Sequence, residues 1–524
     1  MRNLITSLLA AAFCIAYSAV PANAQISARK DGEPSDFRKM ELEDIAQQFS
    51  RTRNAAGMGL SQPASGSFTT LGVFTSAGDY HRAQEGSSDM GFEFSSLRYD
   101  SFSDKLFMKG SFTYSLDKEK GRPWSDVIDP YFSNPFIYGC QVAKDYGKHD
   151  CELDFDLYTA PLSDIVSVGL KGEYQVKDIY GNRDPRPRTG YLRYEIIPSV
   201  LLTFGNHHIG LDAGFTHSKE KLQNLTTIQS YPNLWYYKMS GLDRIDGAIS
   251  AYSGFKRQFI ANGFVSDLSY SFTSDVVDFI LDGGVAGEIS NAYGDKKQSP
   301  GSYNSLSYNA MAEILVHSGK QLMRFALKGN LVDGGADENL QELTSVKDPV
   351  TGATTETWET LYTYENRYML KKYDAGIVMD FYGGKKWSAG VGLDYDGFRK
   401  ECFLPYSSFV VDALNAELRG SFRALDKNSH KLDIELAFDS NVPLRSQLEC
   451  AKSNVYVDEV LIPDQAYYAA QTLSGRGSIT YHFPMRLGKA GRANGYVRLG
   501  GEFLASNSVG KLYEIALTVG LFTF

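Results

Sequence analysis

The segment His430–Asp439 reads HKLDIELAFD, and apolar and charged residues alternate along it almost one by one. The apolar positions are Leu432, Ile434, Leu436 and Phe438, and the positions between them are mostly charged. Because successive residues of a β-strand point to opposite faces, this pattern predicts a strand with one apolar face and one charged face.

The same alternation recurs at Lys386–Asp396 and Lys511–Phe524, and again near 153–159, 166–174, 209–216, 323–331, 414–422, 473–483 and 497–505. Many of these segments exceed the ~5–6 residues of an ordinary strand. They suit a tilted membrane strand of ~9–11 residues. Aromatic residues recur at their ends, as at the interfaces of membrane barrels. The sequence therefore predicts an all-β, transmembrane antiparallel β-barrel, with a secreted soluble β-protein as the alternative.

The strand number follows from the order of the connections. In bacterial barrels, short periplasmic turns alternate with longer external loops, and the strand number is even. We assign short turns and long loops from each end of the chain towards the middle. The two assignments agree only if residues 245–290 hold two strands, although alternation marks three segments there. We predict about 18 strands, with 16 or 14 as alternatives.

Composition excludes several classes of protein. The chain has 524 residues, of which 43% are hydrophobic, 13% aromatic and 22% charged. Beyond the N-terminus no stretch approaches the ~18 apolar residues of a membrane-spanning helix, which excludes a bundle of such helices. The formal net charge of −9 argues against a nucleic-acid partner.

The N-terminus predicts export. Met1 and Arg2 precede an apolar stretch from Leu4 to about Val20, and Ala22-Asn23-Ala24 has the small-residue pattern of a cleavage site. We predict a cleaved signal peptide at 1–24, a periplasmic or lumenal segment at 25–66, and an outer-membrane barrel at 67–524. Within 25–66, a short helix is expected from a cap at Ser35 to about Phe49. The segment is too short for the globular plug of a TonB-dependent receptor.

Several of these features together resemble a known class of protein. The signal peptide, the short helix, Asn54-Ala55-Ala56-Gly57-Met58 and the terminal Phe524 resemble an uncharacterised outer-membrane β-barrel family of Bacteroidota. The Asn-Ala-Ala-Gly segment is also similar to the Asn-Pro-Ala-Gly start of long-chain fatty-acid channels, but Ala55 stands where those have Pro. The resemblance implies the barrel assembly machinery as a partner.

No motif for catalysis is present. The sequence has no Gly-x-Ser-x-Gly elbow and no His-Glu-x-x-His. The one adjacent histidine pair, His207-His208, falls in a predicted turn, and adjacent strand residues point apart. We predict no enzyme activity, no metal site and no cofactor.

The predicted lumen face carries charges of both signs on neighbouring strands. Such residues can set the field along a water-filled path, but any wide barrel must also be polar inside. The residues are Glu417, Arg419, Asp433, Glu435, Arg476, Arg498, Glu502 and Glu514. We predict a channel or porin-like transporter without its own TonB plug. The alternative is a non-transport barrel that serves as a structural or accessory component for a partner protein.

External loops supply the remaining candidates. One loop concentrates cations that could hold lipopolysaccharide or an anionic solute, and another holds aromatic residues that could stack on a sugar or a partner. These residues are Arg183, Arg186, Arg188, Trp235 and Tyr236, and each could instead pack its own loop. The predicted partners are outer-membrane lipid, lipopolysaccharide and an accessory outer-membrane protein.

Four cysteines remain after the predicted cleavage. An even number in a secreted chain suggests disulfides. We predict pairs Cys140–Cys151 and Cys402–Cys450, and a pairing across the mouth is the alternative.

Overall fold

The computed structural model describes residues 35–60, 66–226, 236–249, 257–347, 349–486 and 492–523. The predicted signal peptide at 1–24, the loop residue Trp235 and the terminal Phe524 lie outside these ranges.

Eighteen of the described strands form one closed antiparallel sheet. β1 pairs with β2 on one side and with β21 on the other, which closes the barrel. In chain order the strands are β1 (Gly66–Gly78), β2 (Ser88–Ser103), β3 (Leu106–Arg122), β4 (Ile137–Gly139), β5 (Lys144–Thr159), β6 (Val166–Gly181), β7 (Arg186–Phe204), β8 (His207–Thr226), β9 (Tyr236–Ser240), β10 (Arg244–Ile249), β11 (Arg257–Phe272), β12 (Val277–Tyr293), β13 (Gly301–Ser318), β14 (Gln321–Lys347), β15 (Thr354–Gly383), β16 (Trp387–Cys402), β17 (Ser407–Lys427), β18 (His430–Glu449), β19 (Thr472–Arg486), β20 (Arg492–Ser506) and β21 (Lys511–Phe522). β4, β9 and β10 form a separate three-stranded sheet. The predicted barrel of 18 strands is confirmed.

Alternation sets which face of each strand points outward. In β18, Leu436 and Phe438 are 53% and 55% exposed on the outer wall. Glu435, between Leu436 and Ile434, instead accepts hydrogen bonds from Arg498 and Ser478 inside the barrel. A strand with this pattern can satisfy both faces only when one faces an apolar medium and the other a polar interior.

The two ends of the barrel differ in their connections. At the short-turn end, tight turns join the strands, and Gly319 and Gly384 take positive φ values of 62° and 59° that favour glycine there. At the other, long-loop end, the connections are longer. Within 245–290, β11 and β12 belong to the wall, as the order of the connections predicts, whereas β10 belongs to a separate sheet.

Residues 35–60, here called the girdle, lie inside the short-turn end. Helix α1 spans Phe37–Ala46 and is followed by 3₁₀-helices at Gln48–Arg51 and Ala55–Leu60. Asp36, and not the predicted Ser35, caps α1, because its carboxylate accepts a hydrogen bond from the Lys39 amide at 3.0 Å. The helix also ends three residues before the predicted Phe49.

The girdle follows the inner rim of the barrel in strand order. Its contacts begin at β20, where Asn494 donates to the Ser35 carbonyl at 2.9 Å. They continue past β15 and β13 through Ile45 and reach β7, where Asn54 donates to the Val200 carbonyl at 3.2 Å. They end at β3 and β5, against which Met58 packs. The girdle therefore crosses most of the circumference.

Long loops fill the opposite end. The sheet of β4, β9 and β10, a π-helix at Val457–Leu461 and helix α2 (Ile462–Ala469) form what we call the loop plug. Its apolar core packs against inward side chains of β11 to β17 and includes Trp124, Val127, Ile137, Met239, Leu242, Val460 and Leu461. A further 3₁₀-helix lies at Asp295–Lys297. Among the described residues, no helix is long and apolar enough to cross a membrane.

β14 and β15 extend well beyond their neighbours. They have 27 and 30 residues, and their pairing with β13 and β16 stops at Glu338 and Tyr368. The described parts between, residues 339–347 and 349–367, form a two-stranded antiparallel structure that we call the ribbon. It carries exposed apolar side chains, of which Val346 is 66% and Leu361 59% exposed.

Candidate functional site

A chamber of about 710 Å³ lies inside the barrel next to the girdle. The girdle provides one side through α1, and strands β14 to β21 provide much of the rest. Eight carboxylates and four cations are among its lining residues: Glu41, Glu43, Asp44, Asp380, Glu417, Glu435, Glu502 and Glu514, with Lys109, Arg419, Arg476 and Arg498. The chamber therefore carries an excess of negative charge.

The arginines of the chamber are already paired. Arg419 donates to Asp380 at 2.7 Å and to Glu417 at 2.9 Å. Arg476 bridges Glu417 at 2.9 Å and Asp439 at 3.1 Å. These contacts form a ladder of alternating charge across neighbouring strands, so the guanidinium groups are largely neutralised where they stand.

Two chamber carboxylates stand directly opposite each other. Glu502 of β20 and Glu514 of β21 are direct cross-strand partners, and neither makes an ion pair with a residue in the described part of the chain. Like charges placed opposite each other in a sheet repel. A cation that enters the chamber would relieve this repulsion.

Negative charge also continues along β5. Asp150, Glu152, Asp154 and Asp156 alternate with apolar residues and face the interior. The last three line a second cavity of about 200 Å³ together with Lys109 and Lys171. The interior thus has a carboxylate stripe on a wall away from β17 to β21.

Asp36 holds the start of the girdle to the wall. Its carboxylate accepts from Arg423 at 2.9 and 3.2 Å and from Lys431 at 2.5 Å. Arg423 also donates to Asp433 at 2.7 Å. Burial alone raises the pKa of Asp36, but the contacts with Arg423 and Lys431 outweigh it and hold that pKa well below its ordinary value.

Two further ion pairs hold the end of the girdle. Arg51 pairs with Glu313 of β13, whose side chain is fully buried. Arg53 pairs with Asp267 of β11 at 3.0 Å. Together with Asp36, these residues fix the girdle to strands on widely separated parts of the rim. Three of its attachments are therefore electrostatic and can be removed one at a time.

The structure gathers most of the predicted lumen residues around one cavity. Seven of them line the chamber: Glu417, Arg419, Glu435, Arg476, Arg498, Glu502 and Glu514. Asp433 lies apart from it, beside Arg423 and His482. The sequence reasoning missed Asp36 and Asp380. Asp380 has the alternation signal of β15, whereas no periodic signal marks Asp36.

The predicted external contacts lie in different environments. Arg183 is exposed in the turn before β7, Arg186 pairs with Asp184 at 2.9 Å, and Arg188 pairs with Asp178 at 2.6 Å. Tyr236 does not lie on an external surface, which corrects its assignment. It is fully buried in β9, and its hydroxyl donates to Asp126 in the loop plug.

The disulfide prediction is also corrected, because Cys140, Cys151, Cys402 and Cys450 are all thiols in this structure. The sulfur of Cys140 accepts from Lys144 at 3.3 Å, at the start of β5. Cys151 lies seven residues further along that strand, roughly 20 Å away at ~3.3 Å per residue, too far for a bond. Cys402 and Cys450 share the apolar core of the loop plug, but the Cys402 sulfur packs against Gly241.

The histidines do not form a metal site. His207 and His208 start β8 and point apart: His207 bonds the Tyr270 hydroxyl, and His208 bonds Thr203 and Thr273. Within the described ranges, no group of three or more histidine, cysteine or acidic side chains could hold a metal ion.

Comparison with known proteins gives a family and a set of distant barrels. Residues 55–523 match the model of a family described as a family of unknown function (DUF6850). No curated protein matches the chain. Among solved structures, the ferric citrate transporter FecA in its unliganded form is 9% identical, with a TM-score of 0.42 over 87% of this chain and 78% of that chain. A FadL homologue from Pseudomonas aeruginosa is 11% identical, with a TM-score of 0.32 over 89% and 92%. The copper transporter OprC is 9% identical, with a TM-score of 0.38 over 88% and 81%. Likenesses of this size concern the barrel architecture alone.

Proposed function

We propose that this chain, which belongs to the family of unknown function DUF6850, is an outer-membrane channel for solutes. In this channel, the girdle is the gate. The channel has no separate plug domain of the TonB-dependent type in this proposal. The girdle takes the role of a gate at one mouth, and the loop plug narrows the other.

The outer wall supports the placement in a membrane. Outward side chains of β8 such as Ile209, Leu211 and Phe215 are 42%, 50% and 47% exposed, which is costly in water and favourable in lipid. Bacterial barrels keep their short turns in the periplasm. We therefore assign the girdle to the periplasmic mouth and the loop plug to the cell exterior, after removal of the predicted signal peptide.

The observation that carries the gate is the way the girdle is attached. Asp36, Arg51 and Arg53 are ion-paired to β17, β13 and β11, while the backbone of the girdle adds no strand to the wall. A segment held through side chains can leave without breaking the barrel's hydrogen-bond ladder. The wall then stays closed while the mouth opens.

The charges of the chamber support a preference for cations. Its carboxylates outnumber its cations eight to four, and its arginines are paired. Fixed charges that line a pore favour passage of the opposite sign. We infer that positively charged or zwitterionic polar solutes pass more readily than anions.

Conductance in a planar lipid bilayer tests the channel directly. The full-length protein should give few openings, and the triple variant Asp36→Asn, Arg51→Gln, Arg53→Gln should give many more. Heat-dependent migration on a denaturing gel reports whether each barrel is folded. A folded triple variant that stays silent would refute the gated channel.

A matched control separates gating from a general loss of charge. Glu342→Gln, Glu356→Gln and Glu359→Gln remove three charges from the ribbon, far from the girdle. This variant should conduct like the unmodified protein. Equal activation of both variants would mean that the girdle contacts are not the relevant change.

The ribbon favours a second candidate, a barrel that serves a partner protein. Val346, Leu361 and Tyr362 are 66%, 59% and 58% exposed there, and a free two-stranded structure is marginally stable by itself. In this reading, an accessory outer-membrane protein covers the ribbon. The barrel would then co-purify with one partner at a fixed ratio, would lose it when residues 342–359 are removed, and would not conduct.

We propose insertion by the barrel assembly machinery, contact with outer-membrane lipid and lipopolysaccharide, no enzyme activity, and a source among the Bacteroidota on the resemblance of the sequence.

A further inference from the structure

Two lysines lie on the outer wall immediately beyond its apolar band. On β8 the outward positions run from Ile209 through Phe215 to His217, and the next two are Lys219 and Lys221. His217 bonds Asn262 at 2.8 Å and packs against the Tyr194 ring at 5.2 Å. Aromatic and amphipathic side chains of this kind mark the interface of a membrane barrel. The lysines thus stand at headgroup height.

Among the described residues, no acidic side chain stands directly opposite these lysines on the outer wall. Lys219 is flanked across the sheet by Leu192 and Ile260, and Lys221 by Gly190 and Gln258. Neither lysine makes an ion pair with any residue that the structure describes. The two lysines are two residues apart on one strand, so their Cα atoms are separated by roughly 7 Å. Both ammonium groups can therefore reach one phosphate group or two adjacent phosphate groups.

Several other cations of the outer wall are paired with a neighbouring carboxylate. Lys118 pairs with Asp145 at 3.7 Å. On β15, Lys371 stands one outward position beyond Tyr373, as Lys219 does beyond His217, yet it pairs with Asp333 at 3.7 Å. Arg399 of β16, which is its cross-strand partner, pairs with Glu401 at 2.7 Å. Lys219 and Lys221 differ from these three cations, because no described carboxylate pairs with them.

We propose that Lys219 and Lys221 form a binding site for the phosphate groups of a lipid headgroup in the external leaflet. The apolar band below them identifies the occupant, because whatever lipid covers that band places its headgroup against the lysines. A phosphate accepts charge-assisted hydrogen bonds from both ammonium groups. The inference rests on the membrane placement proposed above, but not on conduction.

Native mass spectrometry of the detergent-solubilised, full-length protein tests the site, with diphosphorylated lipid A as the probe. The double variant Lys219→Gln, Lys221→Gln should retain about thirtyfold less of this lipid, the change expected when two lysines that each attract an anionic headgroup are neutralised. The matched control Lys371→Gln, Arg399→Gln should retain as much as the unmodified protein. Lys219→Arg, Lys221→Arg keeps the charges and should retain the lipid.

Four results would overturn the proposal. Equal retention by the glutamine variant and the unmodified protein would show that the lysines do not bind the lipid. An equal loss in the β15–β16 control would show general charge attraction. Displacement of the lipid by inorganic phosphate would show that the lysines bind a phosphate group without its lipid. Equal binding of dephosphorylated lipid A would show that the headgroup phosphate is not recognised. Bilayer conductance of the same variants is expected to be unchanged, so failure here is distinct from failure of the channel.

Discussion

The carboxylate of Asp36 and the guanidinium of Arg423 meet through two hydrogen bonds of 2.9 and 3.2 Å, and both side chains are only 2% exposed. Because neither group is solvated, removal of one leaves the other as a buried, incompletely compensated charge. The start of the girdle is therefore the attachment at which one substitution should have the largest effect.

We expect Asp36→Ala to release the girdle. Loss of one partner of a buried pair costs about 3–5 kcal/mol, so the open fraction should rise on the order of a hundredfold in bilayer recordings. Glu41→Gln is the control, because Glu41 is 46% exposed and only 3.5 Å from Arg38, a contact worth ~0–1 kcal/mol. Similar activation by both would contradict the role of Asp36.

Glu502 and Glu514, which stand opposite each other across two strands of the chamber, should set ion selectivity. With Glu502→Gln and Glu514→Gln, we expect the reversal potential in a salt gradient to move toward the value of a non-selective pore, since two fixed negative charges are lost. The control is Glu342→Gln with Glu359→Gln, a cross-strand carboxylate pair on the ribbon. If the control shifts the potential as much, the selectivity does not arise in the chamber.

The two faces of β18 should respond differently to charge. Leu436→Arg puts a cation on the outward face, where it costs ~2–4 kcal/mol near the middle of a bilayer, so less folded barrel should appear on a semi-native gel. Glu435→Gln is the inward counterpart, and it should assemble normally. An arginine at this position would instead place two guanidinium groups together, because Glu435 contacts Arg498 at 2.5 Å. Equal behaviour of Leu436→Arg and Glu435→Gln would mean that the facing is wrong.

Asp464 of α2 should make the loop plug sensitive to pH. Burial raises the pKa of this carboxyl to about 6, while the Ala83 amide at 2.7 Å, Lys400 and Arg82 oppose the rise and Glu85 adds to it. Tyr131, Tyr456 and Tyr468 also face it. The pKa of Asp464 in the folded protein lies above its ordinary value of 3.8. Protonation of Asp464 therefore stabilises the docked loop plug, and this stabilisation is fully present below about pH 4 and is lost as the pH rises through about 6.

Asp464→Asn tests this dependence, because the amide keeps an acceptor for Ala83 without the charge. We expect it to stabilise the docked plug near neutral pH by up to about 3 kcal/mol, the value of two pKa units, and by little at pH 4. Hydrogen exchange of residues 454–470, compared between variant and unmodified protein at each pH, measures the difference. A variant that exchanges faster at neutral pH would contradict the expectation.

The thiols give a chemical check on the loop plug. Denatured without reductant, the mature protein should react at Cys140, Cys151, Cys402 and Cys450. In the folded protein, Cys140 and Cys402 should resist an impermeant maleimide, because each is only 1% exposed. Burial also raises the pKa of Cys450 to about 11, which lowers its thiolate fraction and so its reactivity. Peptides linked through any pair of these cysteines would contradict the structure.

Alternation along the strands predicts the wall and the direction in which residues such as Glu435 and Leu436 point, and the order of short and long connections predicts the strand number. The contents of the barrel have no such signal. Tyr236 and Asp126 are 110 positions apart in the sequence, and no period or spacing marks them as partners in the loop plug. Asp36 likewise has no signal in the sequence, which places the helix cap one residue earlier, at Ser35. The contact of Asp36 with Arg423 depends on closure of the barrel.

The girdle precedes every described strand, yet its partners are spread over the whole barrel. Ser35 and Asn494 are separated by 459 positions, and Asp36 and Arg423 by 387. Contacts of such separation form late, because much of the intervening chain must first be ordered. The girdle emerges before the wall strands during synthesis and is thus among the last segments to dock. Until the final strands close the cylinder, the lumen has no complete rim to receive it. The girdle would then occupy the mouth only after assembly is complete. In an incompletely closed barrel, the girdle would remain undocked, and a periplasmic protease could cleave it.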